Sequence, residues 1–252
     1  MRTLLWKELT EQWRSYRLLI TVAVLTAFGI LGPVSAKYLP VMLANMADVP
    51  EGLAEIMPEP DVSMAVTEYA GNLVQFGVIL AILVPMAAVV AERVSGTAEI
   101  TLSKPVSRGA FLLAKFLAYA LTFTVGLAVA GLAGYYYTGV LFGWVPAVGF
   151  LAANGLILVY LLVLVALTLL ASTLARTQLA AAGMAVAALA LLGILGTLPP
   201  VGKLLPAALL GWANALALGL PAEPAWGALA VSGALGGGAL LVAWLVFRQQ
   251  EI

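Results

Sequence analysis

The sequence contains neither cysteine nor histidine. The absence of cysteine excludes disulfide bonds, thiol nucleophiles and thiolate metal sites. The absence of histidine excludes the Ser-His triad, the HExxH zinc motif and every imidazole ligand. No GxxxxGK[ST] sequence occurs either, so the chain has no P-loop to cradle nucleotide phosphates. We therefore predict no catalytic, metal-binding or cofactor-binding residue in this chain, and no enzymatic activity of its own.

Charge is also scarce, since only 10% of the 252 residues are charged and 63% are hydrophobic. Soluble domains carry about 25% charged residues, because their surfaces must be solvated. The twelve basic and twelve acidic residues cancel, so the net charge gives no reason to expect a nucleic-acid partner. This composition predicts an all-α integral membrane protein whose principal surroundings are the lipid bilayer.

Six apolar runs are long enough to cross a bilayer, whose hydrocarbon core of about 30 Å takes roughly 20 helical residues. One run, from Phe116 to Ala175, is uncharged for sixty residues and must be divided. Gly143, Trp144 and Pro146 cluster in its middle and predict a turn between two spans. The predicted spans lie near residues 18–36, 69–91, 112–138, 147–174, 178–198 and 225–247.

The predicted connections are an N-terminal elbow helix (2–17), an outer loop (37–68) and a polar loop (92–110). The uncharged stretch 204–222 contains about fourteen residues between Pro206 and Pro221, which is too short for a span. We predict a re-entrant helical segment there, between the last two spans. A full span at this position would place the C-terminus on the opposite side of the membrane.

The orientation follows from the distribution of lysine and arginine, which accumulate on the cytoplasmic side. With six spans and a cytoplasmic N-terminus, ten of the twelve basic residues lie inside. Only Lys37 and Lys203 lie outside. This asymmetry predicts a multi-pass protein of the inner (plasma) membrane with both termini in the cytoplasm.

The elbow helix is amphipathic, because Leu5, Leu9 and Trp13 recur at helical spacing on one face. Such a helix lies in the membrane interface, either as a simple anchor or as a lever joined to the first span. A carboxylate at the membrane edge is costly unless it is solvated or paired. We therefore predict that Glu92 pairs with Arg14 or Arg17; the alternative is a hydrated Glu92.

The loop 92–110 has an ordered pattern of polar residues. Gly96 permits a turn, Thr97–Ser103 can form a short helix, and Pro105 must end it. Ser107 can then cap the following helix. From the residues alone, this segment is equally compatible with a docking surface for a partner and with an ordinary charged loop.

The same segment resembles a known family. The residues that carry the resemblance are Glu92, Gly96-Thr97, Glu99, Leu102-Ser103, Pro105-Val106-Ser107-Arg108 and Lys115-Phe116. They are similar to the loop between spans two and three of type-2 ATP-binding-cassette (ABC) exporter permeases, and the order of predicted segments agrees along the whole chain. That family commonly has a leucine-rich run after Gly-Thr, where Ala98, Ile100 and Thr101 stand here. The acidic outer loop and the lack of cysteine loosely resemble the branch associated with nitrous-oxide-reductase maturation.

The resemblance implies a permease subunit of an ABC exporter, paired with a second permease subunit, as a homodimer. Two separate cytoplasmic ATPase subunits would bind ATP and magnesium and drive transport. The residues implied to couple the permease to the ATPase are Gly96, Thr97, Ala98, Glu99, Leu102, Ser103, Pro105 and Arg108. Glu92, Arg14 and Arg17 are the expected contacts between this loop and the elbow.

Two other functions remain open on the sequence. An ion-coupled carrier or channel would need charged residues within its spans, or broken helices in paired halves. The predicted spans show neither feature. A membrane assembly protein without transport activity would be distinguished by the absence of an associated ATPase. A membrane enzyme is the weakest alternative, because the sequence offers no set of nucleophile, base or metal ligands.

Overall fold

The computed structural model describes residues 2–44, 59–97, 103 and 106–250. These residues form ten α-helices and contain no β-strand, which confirms the predicted all-α class. The helices are α1 (Arg2–Arg14), α2 (Arg17–Ala44), α3 (Val62–Leu83), α4 (Val90–Val94), α5 (Arg108–Phe142), α6 (Ala147–Leu174), α7 (Gln178–Gly196), α8 (Pro199–Gly202), α9 (Ala208–Ala217) and α10 (Trp226–Gln249).

Within the described ranges, six helices are long and apolar enough to cross a membrane: α2, α3, α5, α6, α7 and α10. They correspond in number and order to the six predicted spans. The predicted turn in the long uncharged run lies between Phe142 and Ala147. Gly143 has a φ of 110° there, a conformation that residues with a Cβ rarely adopt. The glycine therefore makes the tight reversal from α5 to α6 possible.

The helix bounds correct four predicted boundaries, two of which are the ends of the outer loop. The outer loop is shorter than 37–68, because α2 continues to Ala44 and α3 begins at Val62. The side chain of Asp61 caps α3 by accepting a hydrogen bond from the Met64 amide at 2.8 Å. Charged residues near each end had been taken as the limits of the spans, although a helix can continue beyond the apolar layer. Residues 45–58 lie outside the described part.

The second span also ends earlier than predicted, at Leu83 rather than at residue 91. Pro85 has no amide hydrogen and cannot continue the helical hydrogen-bond ladder. The chain turns and re-forms a helix as α4. The amides of Val89 and Val90 donate to the Ser172 hydroxyl of α6, at 3.1 and 3.2 Å. The neighbouring span α6 therefore provides a hydrogen-bond acceptor for the backbone amides that follow the break.

The N-terminal helix ends at Arg14 rather than at residue 17, and Tyr16 has a φ of 59° between α1 and α2. The buried side of α1 consists of Leu4, Glu8 and Gln12, one turn apart from each other. It packs against α5 and α2. The spacing of apolar residues in the sequence did not identify this side of α1 as the buried one, because two of its three residues are polar. That α1 also lies in the membrane interface stays a prediction.

The core of the bundle is built around α6, which contacts α3, α5, α7, α9 and α10. Tyr69 of α3 lies at its centre, where glycines let the backbones approach: a Cβ on Gly32 would stand 2.6 Å from the Tyr69 backbone. Such close packing of small residues is typical of membrane helices. The helix α9 packs on α6 and is about 15 Å long, half the thickness of a bilayer core. It is too short to span, and its predicted re-entrant position stays a prediction.

Candidate functional site: the loop 92–110 and its anchors

Five charged side chains meet at one end of the bundle, where α1, α4 and the first turns of α5 come together. We call Lys7, Glu8, Glu11, Glu92 and Lys115 the charged cluster. Glu8 and Lys115 are almost completely buried, with 4% and 1% of their surface exposed, and Glu92 is buried as well. Buried ions are rare in proteins unless they are paired, so this cluster is a specific feature of the fold.

Lys115 lies at the centre of the cluster. Its Nζ donates to Glu8 Oε2 at 3.0 Å and to Glu92 Oε1 at 2.6 Å. The same ammonium lies 4.8 Å from the centre of the Phe111 ring, on the preceding turn of α5. These contacts compensate for the loss of hydration that burial imposes on the ammonium. Through this one side chain, α5 is joined to α1 and to α4.

Lys7 closes the cluster on its exposed side. Its Nζ donates to Glu8 Oε1 at 3.0 Å and to Glu92 Oε1 at 2.9 Å, and it lies 3.7 Å from Glu11. Arg17, at the start of α2, contacts the other oxygen of Glu11 at 3.4 Å. Three cations (Lys7, Arg17 and Lys115) thus face three carboxylates (Glu8, Glu11 and Glu92), so the local charge is balanced.

The environment keeps Glu92 and Lys7 charged at neutral pH. Burial raises the pKa of the Glu92 carboxyl, but attraction to Lys115 and hydrogen bonds from Lys115 and Lys7 outweigh burial, and the pKa falls below its ordinary value of 4.5. Burial lowers the pKa of Lys7, but the hydrogen bond with Glu92 and the attraction to Glu8 and Glu92 outweigh it, and the pKa is raised. Both groups therefore take part in the cluster as ions.

The predicted ion-pair partners of Glu92 were wrong. Arg14 lies on the exposed side of α1, and Arg17 contacts Glu11. The contact between the elbow helix and Glu92 is made by Lys7 instead. The reason is geometric: the side of α1 that faces α5 is set by Leu4, Glu8 and Gln12, and Arg14 falls away from it. Sequence reasoning also missed Lys115, although it directly precedes the sixty-residue uncharged run.

A second set of contacts anchors the start of the loop. Arg93 donates from Nη1 to the carbonyl of Thr173 at 3.0 Å and to the Gln250 side chain at 2.8 Å, and from Nη2 to the carbonyl of Ala175. The last carbonyls of a helix have no partner within the helix. Arg93 therefore caps the C-terminal end of α6. Gln250 supports it by donating to the same Thr173 carbonyl at 3.0 Å.

The end of the loop is anchored in the same manner, but to a different span. Arg108 Nη1 lies 2.7, 2.9 and 2.7 Å from the carbonyl oxygens of Phe247, Arg248 and Gln250. These carbonyls belong to the C-terminal end of α10 and to the residue after it. The sequence had singled out Arg108 as a contact with an ATPase. In the structure its guanidinium is directed toward α10.

Between the anchors, the structure describes only part of the predicted coupling segment. Gly96 has a φ of 73°, which suits the predicted turn, and Thr97 Oγ1 donates to the Glu92 carbonyl at 3.2 Å. The Ser107 hydroxyl accepts a hydrogen bond from the Ala110 amide, which confirms the predicted cap of α5. Ser103 is described as a single residue in a turn. Ala98, Glu99, Leu102 and Pro105 lie outside the described residues, so the predicted short helix stays a prediction.

The carboxylates of the charged cluster are paired with ammonium groups. Oxygens of Glu8, Glu11 and Glu92 approach each other closely enough to suggest a metal site. However, Lys7 and Lys115 contact Glu8 and Glu92 at 2.6–3.0 Å, and Lys7 also lies 3.7 Å from Glu11. Ammonium groups thus already supply the positive charge that a cation would bring. The arrangement joins the base of one loop to α1, α5, α6 and α10.

Comparison of the sequence with known proteins gives a family and one relative. The sequence profile of a family described as "ABC-2 family transporter protein" matches residues 2–225, from α1 to the residue before α10. The chain is also similar to the uncharacterized transmembrane protein YxlG of Bacillus subtilis (strain 168), with 27% identity over 165 residues. The aligned part covers 66% of this chain and 64% of that relative, so the match spans less than two thirds of the relative's length.

Proposed function

The chain belongs to the ABC-2 family of transporter proteins, and from this premise we propose that it is an exporter permease driven by a separate ATPase subunit. The proposed complex contains two permease subunits, as a homodimer, and two ATPase subunits on the cytoplasmic side of the inner membrane. ATP and magnesium would bind to the ATPases. The chain itself would provide the path through the membrane and the surface on which the ATPases act.

The observation that supports this proposal most directly is the anchoring of the loop 92–110. One end of the loop is tied to α1 and α5 through Glu92 and to α6 through Arg93. The other end is tied to α10 through Arg108. A force applied to the loop would therefore reach four helices, three of which are candidate spans. An ordinary surface loop has no reason to be connected in this way.

The direction of transport and the branch of the family rest on the resemblance alone. Export, and the looser likeness to the nitrous-oxide-reductase maturation branch, are proposals that the purified complex must test. The charged cluster does not favour an ion-coupled carrier, because each of its carboxylates is paired with a lysine or an arginine. An assembly role without transport predicts that no ATPase would accompany the chain.

The decisive experiment changes the shape of the loop without touching a span. In Thr101→Pro, a proline in the interior of the proposed coupling helix costs roughly 3 kcal/mol of helix stability. We expect the variant to insert normally into the membrane, but to lose the ATPase that co-purifies with the wild type, or to lose ATP hydrolysis by the complex. Thr101→Ser is the matched control, since it keeps the backbone free to form a helix.

Two results would decide against the proposal. If no ATPase co-purifies with the wild-type chain from native membranes, the permease function is wrong. If Thr101→Pro retains both the ATPase and its hydrolysis rate, then the loop is not the coupling element, even if the chain is a permease.

A further inference from the structure

A groove opens between α5 and α6 in the half of the bundle opposite the charged cluster. Its volume is about 650 Å3. Each helix contributes one side, on which the lining residues recur every three or four positions, from Thr124 to Tyr135 on α5 and from Ala147 to Leu158 on α6. Binding sites for small molecules commonly have 300–1,000 Å3 and form between helices of bundles. The groove is thus large enough to hold a ligand.

The lining is apolar and carries no charged side chain. Leu132 and Leu151 stand at its edges, with 74% and 73% of their surface exposed. Gly155 leaves its floor open, since a Cβ at this position would meet no atom within 4 Å. An ionic headgroup would find no counter-charge in such a site, whereas a hydrocarbon chain would lose no hydration there. The charge pattern therefore selects an uncharged apolar occupant.

One buried polar group faces this apolar lining. The Asn154 side chain accepts a hydrogen bond from the Tyr69 hydroxyl at 2.7 Å and donates one to the Phe150 carbonyl at 2.9 Å. A side-chain amide has two N–H donors, and these protein contacts use one of them. The second N–H of the Asn154 amide can donate a hydrogen bond to a carbonyl oxygen of a molecule bound in the groove. Buried polar groups tend to be fully hydrogen-bonded, which favours a ligand that carries such an oxygen.

Aromatic residues lie beside the groove, near the turn between α5 and α6. The rings of Tyr135 and Trp144, which is 64% exposed, lie 5.2 Å apart at an angle of 45°, beside the turn at the outer end of the groove. Aromatic residues of this kind lie at the membrane interface. The Tyr135 ring also lies 5.3 Å from that of Phe150, and Asn154 donates to the Phe150 carbonyl one turn away, so the Asn154 amide lies just inside this interface.

We propose that the groove between α5 and α6 binds one acyl chain of a phospholipid from the leaflet at the α5–α6 turn. The ester carbonyl of the lipid accepts a hydrogen bond from Asn154 Nδ2, and its hydrocarbon chain lies along the apolar side of α6. This site does not depend on the ATPase partner or on the direction of transport.

The test uses vesicles of phosphatidylcholine with a photoreactive diazirine on one acyl chain, followed by peptide mapping. In the wild type, labelling should concentrate on the residues that line the groove. Gly155→Leu should fill the groove without a clash at Cβ and reduce this labelling about tenfold, equivalent to about 1.4 kcal/mol of binding free energy. Gly183→Leu on α7 is the matched control, because a Cβ there also meets no atom within 4 Å.

Ala128→Leu, on the opposite side of the groove, provides a second variant if Gly155→Leu does not fold. Labelling spread evenly over all apolar helices, with no effect of either variant, would overturn the proposal. A different occupant would also overturn it: in this cysteine-free chain, disulfide-linked dimers of Gly155→Cys would show that a second copy fills the groove.

Discussion

Among single residues, Lys115 has the strongest influence on the charged cluster, because its buried ammonium contacts both Glu8 and Glu92. Lys7 contacts the same two carboxylates, but 41% of its side chain is exposed. Removing one partner of a buried ion pair costs about 3–5 kcal/mol, since the other charge is left without compensation. Exposed pairs contribute about 0–1 kcal/mol. Lys115 should therefore contribute more than Lys7 to the free energy of unfolding, although both lysines contact Glu8 and Glu92.

This difference leads to a stability prediction. Lys115→Met should lower the free energy of unfolding by about 3–5 kcal/mol, and Lys7→Met by about 1 kcal/mol or less. Titration of the detergent-solubilised protein with a denaturing detergent would measure both. Combining Lys115→Met with Glu8→Gln should recover part of the loss, because two cations would then face two carboxylates instead of three. Equal effects of the two lysine variants would contradict this account.

The lowered pKa of Glu92 gives a pH prediction. Because the folded-state pKa lies below the ordinary value of 4.5, the stability from ionised Glu92 is present above about pH 4.5 and is lost as the pH falls through the folded-state pKa. Glu92→Gln should be less stable than the wild type at neutral pH, and the difference should shrink in acid. Melting temperatures of both proteins from about pH 3 to about pH 7 would test this. A difference that stays constant with pH would contradict it.

The sequence identified some residues of this site, but not their contacts. Glu92 was selected because a carboxylate at the membrane edge needs water or a partner, and Arg108 because it belongs to the motif that carries the family resemblance. Their partners depend on which side of α1 faces α5 and on where α10 ends, and neither follows from local spacing. Glu8 and Gln12 were missed because polar residues of an amphipathic helix are expected to face water. In this fold they face another helix.

At the scale of elements, the arginines of the loop connect segments that are distant in sequence. Arg93 caps α6 and Arg108 caps α10, at positions where helix carbonyls lack partners. The guanidinium can reach several carbonyls at once, whereas a lysine ammonium is a compact point charge. The two caps therefore depend on arginine in particular, and not only on positive charge.

We expect Arg108→Lys to loosen the last turn of α10. The measurement is hydrogen–deuterium exchange at the amides of the last helical turns, which should become faster than in the wild type. Arg14→Lys is the control, because Arg14 is exposed and takes part in none of the ion pairs among the described residues. Unchanged exchange in α10 would show that the Arg108 contacts do not stabilise this end.

Helix boundaries show a similar limit of sequence reasoning. The turn between α5 and α6 was predictable, because glycine and proline interrupt an uncharged run. The end of α2 and the start of α3 were not, because α2 continues beyond Lys37 and α3 begins before Glu68, the charged residues that limit the predicted spans. Hydropathy indicates which part of a helix lies in the apolar layer of the membrane. The length of the whole helix also depends on caps such as Asp61.

For the molecule as a whole, six spans were predictable because composition and run length determine them almost completely. The orientation in the membrane stays a prediction from the distribution of lysine and arginine. Which surfaces of the spans face other helices could not be predicted, since lipid and protein interior are both apolar. The structure shows α6 enclosed by neighbours, and α7 and α10 largely exposed.

The orientation can be tested with single cysteines, because the chain contains none. Glu55→Cys should react with a membrane-impermeant thiol reagent added to intact cells. Lys104→Cys should react only after the membrane is permeabilised. The reverse pattern would place the loop 92–110 outside the cell and would contradict both the topology and the proposed contact with a cytoplasmic ATPase.

The charged cluster also imposes an order on biosynthesis. Glu8 precedes Lys115 by 107 positions, whereas Glu92 precedes it by only 23. Since a ribosome adds about 5–20 residues per second, Glu8 is made about 5–20 s before the lysine that pairs with it. During this interval its carboxylate has no buried counter-charge from α5. The N-terminal helix can therefore reach its final position only after two spans have been synthesised and the third has begun.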